Sequence, residues 1–196
     1  MKARITRWGA LALASGVLSC VDTPTRLDSP TEPHFSVGSK KLRVLRRTEP
    51  LRRRQTVTRL IGPQGGVLEL PEAGLRVEFP PHALAASIAI TVTAPPGKLV
   101  RYEFSPHGTQ FQKGVRVEVS LRGTEAEPEG AAQKAEMEEL HAGYYAHSGQ
   151  IDADGLAAVD ELLPTYGQAA AWTAFEIRHF SGYILVSGLT EKGDDK

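Results

Sequence analysis

The chain has 196 residues, 41% hydrophobic and 23% charged, with 23 basic and 23 acidic side chains and a formal net charge of zero. That is enough apolar material for one globular domain with tails, and the single cysteine, Cys20, excludes an intramolecular disulfide. The neutral total conceals an asymmetry. Residues 40–59 carry Lys40, Lys41, Arg43, Arg46, Arg47, Arg52, Arg53, Arg54 and Arg59 against one acid, Glu49, whereas from Leu60 onward acids outnumber bases 19 to 10.

In chain order, residues 1–7 carry Lys2, Arg4 and Arg7, and residues 8–18 are almost wholly apolar or small. A basic head, a short apolar run and a small residue before a break describe a secretory signal. The run is about half of the ~20 residues a membrane-spanning helix needs. Val17-Leu-Ser-Cys20 resembles a bacterial lipobox, with Ser19 at the small position and Leu18 a less usual middle residue. The resemblance implies cleavage before Cys20, lipid on its thiol and acylation of its amine, the several chains that stable anchoring requires. Val21 lacks the aspartate associated with inner-membrane retention, which points to the outer membrane of a bacterial cell envelope. The plainer alternative is an ordinary signal peptide with an incidental cysteine.

Residues 21–39 hold Pro, Ser, Thr and Asp without periodicity and read as a flexible spacer. With the basic run they form an expected tether over residues 20–56, after a signal peptide at 1–19 and before a domain at 57–188 and a tail at 189–196. Lys40, Lys41, Arg43, Arg46, Arg47, Arg52, Arg53 and Arg54, placed beside lipid, would face anionic headgroups, each contributing about 1 kcal/mol. A solvated linker is the alternative. Nucleic acid is not expected as a partner, since the chain reads as exported and no aromatic residues interleave the arginines for base stacking.

From residue 60 to 121 apolar residues recur at every second position: Leu75, Val77, Phe79; Ile88, Ile90, Val92; Val115, Val117, Val119, Leu121. Polar residues lie between them, the pattern of half-buried antiparallel strands. Gly65-Gly66 and Glu72-Ala-Gly74 reverse the chain, and Pro80-Pro81 ends a strand because proline cannot donate to a ladder. The glycine-rich loop is followed by a strand, not by the helix N-terminus that phosphate binding needs. His82 reads as a corner residue. In Ser105-Pro-His-Gly-Thr109, Gly108 is expected at positive φ, Phe111 in the core, and His107 as a turn histidine without a second ligand at metal spacing.

Residues 123–139 break the pattern with an acidic, helix-forming or mobile insertion. Further strands are expected over residues 140–146, 156–163, 172–177 and 183–186. Asp152-Ala-Asp-Gly155 begins like a calcium loop, but Ala157 stands at its sixth position and Leu163 at its twelfth, so it is better read as a hairpin turn. The fold class is therefore all-β, an antiparallel β-sandwich. No metal or cofactor is expected.

The ordered set Gly-Pro-x-Gly-Gly at residues 62–66, Pro80-Pro81-His82-Ala83-Leu84, Ser105-Pro-His-Gly-Thr-x-Phe111 and His179-Phe-Ser-Gly-Tyr183 resembles the ZU5 module. That module is known from ankyrins, a tight-junction scaffold and netrin receptors, and bacterial envelope proteins contain similar sequences. Residues 122–171 carry little of the likeness. The resemblance implies a β-sandwich that makes protein–protein contacts, here with an unidentified envelope protein, and no conventional enzyme. Some animal relatives carrying His-Phe-Ser cleave their own backbone. By that likeness Ser181 Oγ would attack the Phe180 carbonyl with His179 as general base, helped by backbone strain. The structural alternative puts Phe180 in the core and His179 and Ser181 at a bend. The sequence contains neither Gly-x-Ser-x-Gly nor His-Glu-x-x-His. A third reading, carbohydrate binding, would use Trp172, Tyr144, Tyr145 or Tyr183 as an exposed stacking platform.

Overall fold

A computed structural model of the chain describes residues 41–127, 140–166 and 171–187. The expectations for Cys20, the signal segment, the spacer, the acidic residues 128–139 and the tail lie outside the described residues. Fourteen strands are described: β1 (Leu42–Val44), β2 (Arg46–Leu51), β3 (Gln55–Ile61), β4 (Gly66–Leu70), β5 (Leu75–Phe79), β6 (Ile88–Ala94), β7 (Gly97–Leu99), β8 (Arg101–Ser105), β9 (Gln110–Ser120), β10 (Leu140–Tyr145), β11 (Leu156–Ala157), β12 (Glu161–Pro164), β13 (Trp172–His179) and β14 (Gly182–Ser187). They form two antiparallel sheets around one main core, with a two-stranded arm, β2 and β7, at the side. The chain is an all-β sandwich.

The smaller sheet runs β13-β9-β5-β4. Its register sets Leu75 opposite Val119 and Val77 opposite Val117, and Val117 in turn opposite Phe175. Alternation then sends these side chains inward, where Val77, Val115, Val117 and Val119 are fully buried. The same register lines up Arg76 with Glu118 and Glu78 with Arg116 on the outer face. Arg76 bonds Glu118 across the strands at 3.0 Å, an opposite-charge cross-strand pair, and Glu78 along its own strand at 2.9 Å.

The larger sheet is built on β14, which pairs β10 along one side and β8 and β1 along the other. Beyond β8 it continues through β6 to the edge strand β3. Tyr183 and Leu185 face the main core, whereas Ile184 and Val186 join Leu42, Val44, Tyr145, Ala157 and Val159 in a second apolar cluster on the other face. An uninterrupted apolar run is what a strand covered on both faces requires. Gly182 begins it because the Tyr145 ring lies across this position: a Cβ there would sit 2.4 Å from ring carbon Cζ.

Two expectations are corrected. The domain starts at β1, not at residue 57, because Leu42, Val44 and Leu45 are buried in the two clusters and β1 is hydrogen-bonded to β14 and β11. Residues 42–51 are thus strands of the fold, not a tether. The single strand expected over residues 156–163 is two pieces, β11 and β12. Ala158 N–H donates to Gln150 O, Ala158 O accepts from the Gln150 side-chain amide, and Val159 turns into the second cluster, which interrupts the ladder.

Candidate functional site

The two ends of the smaller sheet hold the groups with chemical potential. β13 runs from Trp172 at one end to His179 at the other, so by strand rise the ends are on the order of 25 Å apart.

At the far end lies His179-Phe180-Ser181. Phe180 is fully buried and central to an aromatic cluster: its ring stacks on Phe104 at 5.4 Å and meets Phe111 at 4.7 Å and Phe79 at 6.1 Å edge-on. Its backbone is held on both sides by the loop after β8. Phe180 N–H donates to Thr109 O at 2.9 Å, and Gly108 N–H donates to Phe180 O at 3.2 Å. Phe104 N–H donates to Ser181 O at 3.0 Å. Gly108 has φ 76°, which allows its N–H to face Phe180, and the Ser105–Pro106 peptide is cis. Two motifs some seventy residues apart in the sequence are therefore one hydrogen-bonded unit.

The His179 ring packs edge-on against Tyr144 at 5.0 Å, and its Nδ1 lies 3.5 Å from the Tyr183 hydroxyl. That hydroxyl donates to His179 O at 2.8 Å. The polar contact of the imidazole is thus with Tyr183, not with Ser181 Oγ, and burial pushes the Tyr183 phenol well up from its ordinary value. Among the described residues, the non-glycine residues at positive φ are His82 and Ala171, neither of them in the triplet.

At the near end, β2, the turn at residues 71–74, Val100 and Tyr102, the segment 120–124 and Trp172 enclose an open cleft of about 980 Å³. Gly74, at φ 68°, turns the chain here so that Ala73 can present its carbonyl inward. Arg47 lines the cleft, yet only 8% of it is exposed. Its guanidinium donates to Leu99 O, to Ala73 O at 3.2 Å and to Tyr102 Oη at 3.4 Å, and Tyr102 itself donates to Ala73 O at 2.8 Å. All three acceptors are neutral. Burial pushes the Tyr102 phenol up to about 12, although Arg47 opposes the shift, so Tyr102 offers Arg47 no anionic partner at neutral pH. Arg52 and Arg122 line the rim, and Arg53 reaches Glu72 at 4.0 Å.

The rest of the basic run divides. Lys41 pairs with Asp152 at 2.9 Å, Arg43 with Glu125 at 3.3 Å, and Arg46 donates to Asp154 O. Arg52, Arg53 and Arg54 are exposed, and Lys40 lies outside the described residues. The Asp152 loop is an interlocked turn: Asp152 Oδ1 accepts from Asp154 N at 3.1 Å and Leu156 N at 2.9 Å. Its carboxyl is held below the usual range, first by the Leu156 N–H and then by Lys41. His82 and His107 are exposed loop residues. Among the described residues, no cluster of His, Asp or Glu is placed to hold a metal ion. Tyr145 and Tyr183 are buried, and Tyr144 and Trp172 belong to different sheets, so the four aromatics make no common platform.

Arg47 was missed as a site residue. The alternation Leu42-Arg-Val44 does not point to it: Leu45 is buried as well, the phase slips by one residue there, and Arg47 falls inward in step with Leu45. No model of a known protein family matches this chain, and no curated protein matches its sequence.

Proposed function

We propose that this protein is a non-catalytic, ZU5-like binding module of a bacterial cell envelope, lipid-anchored at Cys20 and engaging another envelope protein. The observation that carries the binding reading is the open cleft with Arg47 at its wall, a buried cation whose three protein partners are neutral. Clefts with a few convergent polar groups on a packed scaffold are where binding concentrates. The ZU5-like part draws support from the order of the four motifs and from the joining of two of them by backbone hydrogen bonds. The anchor is supported by the lipobox-like Val17-Leu-Ser-Cys20. A non-catalytic role agrees with an imidazole that faces Tyr183 in place of Ser181.

Crosslinking followed by pull-down from native membranes tests the reading, with radiolabelled palmitate as the control for the anchor. One dominant crosslinked partner, reduced when Arg52 and Arg122 are both changed to Gln, is the expected outcome. An unchanged crosslink in that variant would move binding away from the cleft. Palmitate label that persists in a Cys20→Ser variant would remove the anchor.

A further inference from the structure

We infer that the cleft recognises an extended acidic peptide, seating one Asp or Glu carboxylate against Arg47 and neighbouring apolar side chains against Trp172; this rests on the binding-module reading above. A guanidinium has five N–H donors; Arg47's three bonds to protein oxygens use one on Nη1 and those on Nη2, which leaves Nε–H and one Nη1–H on a residue that lines the cleft. A buried cation costs several kcal/mol to desolvate unless it is paired. A carboxylate brought in from solution supplies the missing counter-charge, and the planar fork matches its geometry.

The rim decides which anion fits. Arg47, Arg52, Arg53 and Arg122 face Glu49 and Glu72, an excess of two positive charges. That balance suits a ligand with isolated carboxylates, and the two glutamates repel a dense polyphosphate. Leu51, Pro50, Pro71 and Val100 also line the cleft, giving apolar contact that a peptide's aliphatic side chains can use. An acidic saccharide would need stacking faces, and Trp172, at 37% exposed, is the one aromatic ring offered at the wall, since Tyr102 is buried.

The test uses the full chain in detergent: cleavage before Cys20 leaves Trp172 as the sole tryptophan, and Trp8→Phe makes it so in any uncleaved chain. The probes are a capped peptide alternating Glu and Val, its Gln–Val counterpart, trigalacturonate and tripolyphosphate, each titrated against Trp172 emission. The expected result is saturable binding of the Glu–Val peptide, at least about tenfold tighter than the Gln–Val peptide. Binding should weaken with added salt and fall about tenfold in Arg47→Met. If Arg47→Met does not fold, the rim double variant Arg52→Gln with Arg122→Gln carries the test, and it should weaken the Glu–Val peptide severalfold. Equal binding of the two peptides, no binding of either, or tighter binding of trigalacturonate or tripolyphosphate overturns the inference. A membrane partner captured by crosslinking while the peptide fails would leave the module reading standing and the acidic-peptide assignment refuted. Peptide binding without any captured partner would uphold the acidic-peptide assignment and refute the envelope-protein partner.

Discussion

The two ends of the smaller sheet solve the same problem in opposite ways. A sandwich must close where its strands stop, or water reaches the core. At the His179 end four aromatic rings, Phe79, Phe104, Phe111 and Phe180, fill the gap, and the loop after β8 is bonded across them. At the Trp172 end a guanidinium does the closing, tied to two carbonyls and a phenol, and a cleft stays open beside it. Closure by rings is indifferent to ligand, because apolar packing needs nothing further. Closure by a cation leaves a demand for charge. The end that looked chemical in the sequence is therefore the sealed one, and the end that looked like linker is the one that keeps an open cleft.

The sharpest way to break this contrast is to remove the ring at its centre. Phe180→Ala takes away contacts with three aromatic partners at a fully buried site and should cost about 3–5 kcal/mol. Urea unfolding would show a lower midpoint at unchanged slope. A loss under about 1 kcal/mol would mean that the rings are not what closes this end. Arg47→Met should cost less, about 1–3 kcal/mol, because Leu99 O loses its side-chain donor while Tyr102 still satisfies Ala73 O. A stabilised Arg47→Met variant would instead show that the cation contributes nothing net to the fold, as buried charges can.

How much of this was legible follows the same division. β5 was readable to the residue because Leu75, Val77 and Phe79 alternate with charges and proline marks the stop. β14 was readable because an apolar run of that length suits a strand covered on both faces. β1 and β2 were not, since the apolar residues Leu42, Val44 and Leu45 are embedded among arginines and composition outweighed period. The pairing of the 105–109 loop with the Phe180 bend was also hidden. Local periodicity carries no information about which distant loop supplies a hydrogen bond. The cleft was illegible for the same reason, its walls coming from residues 47–53, 71–74, 120–124 and Trp172.

A smaller effect sharpens the comparison from the outer face between the two ends. Burial acts to raise the Glu118 carboxyl, but hydrogen bonds from Arg76 and Arg116 outweigh it and hold the group below its ordinary value of 4.5. A folded-state pKa below the unfolded one gives stability that is present above about pH 4.5 and lost as pH falls through the lowered value. The ladder is largely solvent-exposed, so the loss should stay within about 1 kcal/mol. Denaturation midpoints measured from pH 6 down to pH 3 should fall less steeply in Glu118→Gln than in the parent. Parallel curves would assign the acid loss to other carboxylates.

The smallest expected effect is the most telling for the sealed end. Ser181 is buried to 7% exposure, its carbonyl is engaged by Phe104 N–H, and the neighbouring imidazole is turned to Tyr183. Ser181→Ala leaves each of these contacts in place, so stability should move by no more than about 0.5 kcal/mol. Intact-mass spectra of parent and variant should each show one uncleaved species. A parent that separates under denaturing conditions into fragments meeting at Phe180 and Ser181, with Ser181→Ala whole, would return chemistry to this end. It would require the His179 ring to leave Tyr183 and reach Ser181 Oγ, since a general base must come within hydrogen-bond distance of the proton it takes. Tyr183→Phe, which frees that ring from its hydroxyl partner, should then speed the cleavage; in a sealed end it yields no fragments at all.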